Sequence, residues 1–215
     1  MPAVAGAILA GGRSQRFRGD KLRLRLPGED RDLATRAAES VRDLGLRPCW
    51  WLSPHAPAVL PSMVEHLTDP GEGPKAALAC ALEAVRSTPA RAALLVGADL
   101  PLVRGRHLER LLSAWEKSSQ ERALFARDAE GRPQPVFAIY PGSWLTRTSR
   151  QLARGDRALF SLVKQAEEDV LNPSEVTVSV TDPHEGRDTI HPCFNLNQDQ
   201  DWEQLLEWSK EGKLP

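Results

Sequence analysis

Short uncharged runs that end in glycine, proline or aspartate alternate with stretches of helical period, and this pattern constrains the fold most. Residues 4–10 carry no charge and are stopped by Gly11 and Gly12, as expected of a strand buried on both faces. Residues 92–96 repeat the pattern and end in Gly97, Ala98, Asp99, Leu100 and Pro101. Further strands are expected at 48–52, 66–68, 123–126 and 134–140, and an alternating, exposed or edge strand at 176–180. Residues 32–44 place Leu33, Ala37, Val41 and Leu44 at helical spacing, with Asp32 as N-cap and Gly45 as the stop. Helices are also expected at 74–86, 107–117, 144–154, 158–166 and 200–210. Pro74 suits a first helical turn, where a missing N–H does no harm.

Strands alternating with helices imply an α/β fold: a Rossmann-like, mostly parallel sheet with helices on both faces. No repeat, linker or low-complexity block divides the 215 residues, so a single domain over 1–215 is expected. Apolar residues at 41% and charged residues at 27% suit a globular chain with a substantial core. The 28 basic and 29 acidic side chains leave a formal charge of −1, which gives no general attraction to nucleic acid or to an anionic membrane. Cys49, Cys80 and Cys193 form no C-x-x-C pair, and a reducing cytoplasm fits them best. The early apolar run falls far short of the ~18 residues that span a bilayer. It also lacks the basic stretch that precedes a signal peptide's core.

In sheets of this kind ligands bind beyond the carboxyl ends of the strands, where the strand order reverses. The unusual residues cluster after strands, at 11–21, 69–75 and 97–101. The first loop reads Leu9-Ala10-Gly11-Gly12-Arg13-Ser14-Gln15-Arg16-Phe17-Arg18-Gly19-Asp20-Lys21. Two glycines after a strand let backbone N–H groups approach a ligand, and Arg13, Arg16 and Lys21 bring three cations to the same loop. The loop is neither a Walker A motif nor a G-x-G-x-x-G fingerprint. Asp99, at the end of an apolar strand, places a carboxylate at the sheet edge, where a hard cation such as Mg²⁺ binds through one or two carboxylates plus substrate phosphates.

These segments resemble the molybdenum cofactor guanylyltransferase family, within the nucleotide-diphospho-sugar transferase type of fold. Leu9 to Ser14, Arg16-Phe17 and Gly19-Asp20-Lys21 are similar to its signature loop, with Arg18 where a glycine is usual. Asp69 followed by Gly73-Pro74-Lys75-Ala76-Ala77 is similar to its Asp and Gly-Pro-Leu-Ala-Gly, with departures at Lys75 and Ala77. Leu94 to Pro101 matches the context of its metal-binding aspartate. Residues 134–140 resemble a strand near the second substrate, and Phe194 to Asp201 resembles Asn-x-Asn-Thr-Pro-Glu-Asp, with Gln198 and Asp199 in place of Thr-Pro. The strand at 49–52 lacks an asparagine often found near it.

The resemblance implies transfer of GMP from GTP to molybdopterin with release of pyrophosphate. It makes Arg16, Lys21 and Asp99 catalytic, with Asp99 holding Mg²⁺. Leu9, Ala10, Gly11, Gly12, Arg13, Lys21, Asp69, Gly73, Pro74, Gln134, Asn195 and Asn197 become substrate-binding residues. GTP and molybdopterin are then the small-molecule partners, with room for transient docking to cofactor-delivery or acceptor proteins. Two other readings stand beside it. One is a cytidylyl- or uridylyltransferase acting on another phosphorylated cofactor or a sugar or polyol phosphate; the other is a non-catalytic nucleotide-binding module.

Other residue types are expected to be structural. His55, His66 and His107 are isolated, and His184 with His191-Pro192-Cys193 matches no standard zinc spacing. No G-x-S-x-G, H-E-x-x-H or triad signature occurs. The six tryptophans sit mainly where core packing explains them, and Asp201 reads as the acid of a helix's first turn.

Overall fold

The computed structural model describes residues 4–11, 17, 19–170, 173–181 and 190–214. Its seven-stranded sheet comprises β1 (Val4–Leu9), β2 (Cys49–Ser53), β3 (Glu65–Thr68), β4 (Ala92–Gly97), β5 (Leu124–Arg127), β6 (Pro133–Pro141) and β7 (Thr177–Val178), in the order β3-β2-β1-β4-β6-β5-β7. The helices are α1 (Leu33–Arg42), α2 (Pro74–Val85), α3 (Gly105–Glu116), α4 (Leu145–Ala153), α5 (Phe160–Glu168) and α6 (Asp199–Lys210).

The uncharged runs have a direct cause. Side chains alternate across a strand, and both faces of this sheet are covered. Val4 and Ile8 of β1, with Leu94 and Val96 of β4, pack against Ala38 and Val41 of α1 and Leu108, Leu111 and Trp115 of α3. Ala5, Ala7, Ala93 and Leu95 point the other way, toward Leu78, Ala81 and Leu82 of α2 and Leu162 and Val163 of α5. A third, smaller cluster joins Leu205 of α6 to Leu26, Leu33, Leu102 and Leu196, which brings the C-terminal segment onto the main body.

β1 runs parallel to β2 and β4, and β3 runs parallel to β2. β6 is antiparallel to β4 and β5, because a tight turn rather than a helix precedes it. Asp128 organises that turn, accepting from the backbone N–H of Glu130 and Arg132 at 3.0 and 2.8 Å and from Gln134 Nε2 at 2.9 Å. The expected strand at 176–180 is shorter: a 3₁₀ turn, Pro173–Val176, precedes a two-residue β7 that pairs with β5 at the sheet edge.

Among the described residues no helix is long and apolar enough to cross a membrane. Trp50, Trp51, Trp115 and Trp144 are core residues, whereas Trp202 and Trp208 are half-buried. Asp201 closes the start of α6, its Oδ2 accepting from the backbone N–H of Asn197 at 2.6 Å and Gln198 at 2.9 Å.

Asp32 caps α1, as its position before the helical period implies: Oδ1 accepts from Thr35 N at 2.8 Å. Burial pushes its carboxyl up, but the Thr35 hydroxyl and N–H, together with Arg23, outweigh this and hold it below the usual value. Asp32→Ala is expected to cost about 1 kcal/mol in denaturant unfolding near neutral pH. A group with a depressed folded pKa contributes above its unfolded value and loses that contribution as pH falls through the folded one. The difference between wild type and variant is therefore expected to shrink in acid.

Candidate active site

The strand order reverses between β1 and β4, and the loops that leave their carboxyl ends part there. Ala98 N donates to Leu9 O at 3.0 Å, so the two strands stay paired to their ends. Asp99 follows immediately. Gly97 leaves space for its carboxylate, since a Cβ at that glycine would fall 2.6 Å from Asp99 Oδ1.

Lys21 reaches this carboxylate from the first loop. Asp20 caps a 3₁₀ turn over Lys21–Arg23 by accepting from Leu22 N, and the turn sends the lysine side chain inward. Lys21 Nζ donates to Asp99 Oδ2 at 2.8 Å and to the carbonyl of Leu196 at 2.7 Å. The Leu196 N–H in turn donates to Asp99 O at 3.0 Å. Three segments distant in sequence therefore meet at one ion pair. Its side chains are 15% and 25% exposed, so a ligand can reach a pair that water screens only partly.

Asn195 and Asn197 flank Leu196. The Asn195 Oδ1 atom is buried without a partner, whereas Asn197 is exposed. Asp69, at the end of β3, is only 4% exposed; its Oδ1 accepts from Gly71 N at 2.6 Å, and its Oδ2 has no partner. Gly11 lies against it, because a Cβ there would stand 2.7 Å from Asp69 Oδ2 and 3.2 Å from Pro54 Cδ. Gly73 takes a φ of +101°, reserved in practice for glycine, and Pro74 opens α2 directly after it.

A cavity of about 510 Å³ opens beside the ion pair. Leu9, Ala10, Gly11, Lys21 and Asp99 line it together with residues that carry no motif in the sequence: Thr35, Glu39 and Arg42 of α1, and Trp51, Ser53, His55 and Leu60 of β2 and the segment after it. A signal for them exists. Thr35, Glu39 and Arg42 fall on one helical face, and Pro54, Pro57 and Pro61 mark a non-helical segment between two strands.

Gln134 does not line this cavity and is held instead by Asp128 in the β5–β6 turn. Lys75 and Ala77, where the chain departs from the family pattern, are buried residues of α2. Gly12, Arg13, Arg16 and Arg18 lie outside the described residues.

Three of the described histidines are engaged with nearby backbone. His107 Nδ1 accepts from Arg104 N at 3.1 Å, His66 Nε2 lies 2.9 Å from Ser53 O, and His191 Nδ1 accepts from Cys193 N at 3.1 Å. Burial pushes the Cys49 and Cys193 thiols up to about 12; burial, then the charge of Asp69, raises Cys80. None of the three is a thiolate nucleophile at neutral pH. No group of three or more His, Cys, Asp or Glu suited to a metal comes together among the described residues. The donor set at Asp99 still fits a hard divalent cation, which takes one carboxylate from the protein and its remaining oxygens from water and phosphate.

The model of the MobA-like NTP transferase domain matches residues 6–170, which include most of β1 and Lys21, Asp69 and Asp99. The chain belongs to this family. A probable molybdenum cofactor guanylyltransferase of Opitutus terrae is 35% identical over 163 residues, covering 75% of this chain and 78% of its own. A protein of the same name from Chloroflexus aggregans is 34% identical over 73% of this chain and 74% of its own. The crystal structure of molybdopterin-guanine dinucleotide biosynthesis protein A from Archaeoglobus fulgidus shares the fold at a TM-score of 0.67 and 17% identity, covering 96% of this chain and 99% of that one. So does a 2-C-methyl-D-erythritol 4-phosphate cytidylyltransferase from Thermus thermophilus, at 0.58 and 17%, covering 95% and 98%. These family relations make the chain a nucleotidyltransferase by descent, with the expected α/β architecture.

The Gly11–Asp69 contact is measurable. Gly11→Ala is expected to destabilise the fold by about 1–3 kcal/mol through overpacking. In a double-mutant cycle with Asp69→Ala most of that loss should vanish, because the oxygen it strikes is gone. Additive losses in denaturant unfolding would place the strain elsewhere.

Proposed function

We propose that this protein is a molybdenum cofactor guanylyltransferase that moves GMP from GTP to the phosphate of molybdopterin. The observation that carries the reading is the Lys21–Asp99 pair at the point where the strand order reverses, beside a cavity large enough for a nucleoside. The names of the curated relatives support the choice of GTP and molybdopterin. We take the chain as one nucleotidyltransferase domain acting in the cytoplasm, with transient docking to cofactor-delivery or acceptor proteins.

In this reading an oxygen of the acceptor phosphate attacks the α-phosphorus of GTP. A new P–O bond forms, the α–β anhydride breaks, and the electron pair leaves with pyrophosphate. The attacking phosphate is already anionic, so no general base is required, and none of the described histidines is asked to be one. Positioning and charge neutralisation then carry the catalysis.

Each residue has a task in this scheme. Lys21 neutralises phosphate charge, and Arg13 and Arg16 of the same loop act beside it. Leu9, Ala10, Gly11 and Gly12 present backbone to the nucleotide. Asp69, Gly73 and Pro74 seat the base and ribose, while Asn195 and Asn197 face the second substrate. Asp99 holds a divalent cation, which we take to be Mg²⁺ and which supplies charge neutralisation at the phosphates.

Asp99→Ala is expected to abolish metal-dependent transfer with the fold intact, because its carboxylate lies outside the core. Turnover within a few-fold of wild type would remove Asp99 from the mechanism. Lys21→Ala is expected to weaken triphosphate binding or slow transfer roughly ten- to a hundred-fold, the loss of a charge-assisted hydrogen bond, whereas Arg18→Gly is tolerated. Thermal-shift measurements with GTP, CTP, UTP and ATP decide the base, since a ligand that binds only the native state stabilises it. GTP should give the largest shift; a clear preference for CTP or UTP would move the assignment to a cytidylyl- or uridylyltransferase.

A further inference from the structure

Lys75 has no exposed side-chain surface. It stands at the second position of α2, where packing alone does not require a charge. Its Nζ donates to Gln151 Oε1 of α4 at 2.7 Å and to Ser161 Oγ of α5 at 2.6 Å, and it lies 2.9 Å from Asp156 Oδ2 in the corner between those helices. An ammonium has three N–H groups, and here three acceptors on three separate elements meet it. The corner is itself rigid: Asp156 N donates to Gln151 O at 3.1 Å, and Ala158 N to Asp156 Oδ1 at 3.1 Å. A hydrogen bond from Ser161, then the Lys75 ammonium, holds the Asp156 carboxyl below its ordinary value, so the group stays charged at neutral pH.

The corner packs on the turn that leads from Asp69 into α2. A Cβ on Gly73 would stand 3.7 Å from Arg157 Cβ and 3.8 Å from the Arg157 carbonyl oxygen, which is contact distance. Arg157 Nη2 pairs with Glu72 Oε2 at 2.8 Å. On its other side the turn is held by Gly71 N donating to Asp69 Oδ1. Residues 71–73 thus sit between Asp69 and the α4–α5 corner, and the corner is tied to α2 by Lys75.

We propose that Lys75 is a positioning residue for nucleotide binding: by anchoring the α4–α5 corner it fixes the turn 71–74, and through that turn the Asp69 carboxylate. It sets how tightly the nucleotide is held and not how fast the phosphoryl bond is made. This inference rests on the reading that Asp69 and Gly73 seat the nucleoside.

The test is GTP affinity by titration calorimetry with MgCl₂, and steady-state kinetics, on wild type, Lys75→Met, Asp156→Ala and Asp69→Ala. Lys75→Met should raise the Kd and KM for GTP about tenfold with kcat at saturating GTP within about twofold, the signature of lost binding without lost transition-state stabilisation. Asp156→Ala removes a surface side chain from the same tie, so it covers the case in which Lys75→Met does not fold. It should raise Kd in the same direction, by about threefold or more. A merely structural lysine would lower Tm and leave Kd unchanged, which overturns the inference. If Asp69→Ala loses GTP while the folded Lys75 and Asp156 variants bind it normally, the inference alone fails. A wild-type Kd for Asp69→Ala overturns both the inference and the reading of that segment on which it rests.

Discussion

The site depends on one ion pair. Lys21 and Asp99 are separated by 78 positions, yet their contact, with the Leu196 carbonyl as third partner, joins the first loop, the end of β4 and the segment before α6. A half-buried pair of this kind contributes modestly to stability, because desolvation offsets most of its Coulomb attraction. Its greater consequence is electrostatic. It concentrates a cation and a carboxylate where two strands diverge, in a recess whose low effective dielectric strengthens their action on a charged ligand. The placement follows from the strand order, since β1 and β4 deliver their loops to this point.

Around that pair the fold divides its labour. The faces of the sheet are packed with side chains that leave almost no exposed surface, so the scaffold is stiff where the chemistry requires fixed distances. The edges of the site are built from polar ties instead: Asp32 capping α1, Asp69 gripping Gly71, and Lys75 holding the α4–α5 corner. Close backbone approach at Gly11 lets the first loop pass beside Asp69 without a side chain between them.

Much of this was legible in the chain. Doubly buried strands read as uncharged runs because both faces are covered, and the glycine, proline and aspartate that end them marked the strand ends that form the site. Lys21 and Asp99 line one cavity, Asp69 stands against Gly11 in its wall, and the carbonyl of Leu196, between Asn195 and Asn197, accepts from Lys21. Less legible were contacts set by tertiary packing. Lys75 read as a departure from the family's pattern, yet its side chain reaches from α2 to partners more than 75 positions away, which no local pattern encodes. Gln134 read as a ligand contact, yet Asp128 six residues earlier takes its amide. The cavity wall from α1 and the proline-marked segment after β2 carries no chemical motif, only a helical face and a loop.

Nucleotidyl transfer at the Lys21–Asp99 pair leaves a direct signature in the fate of the three phosphates of GTP. GTP labelled at the α-phosphorus is incubated with molybdopterin, divalent cation and the wild-type protein, and products are followed by chromatography. The label is expected to pass into the cofactor product while one pyrophosphate is released per label transferred. Release of orthophosphate with the label left in GDP, or no labelled cofactor product at all, would contradict it.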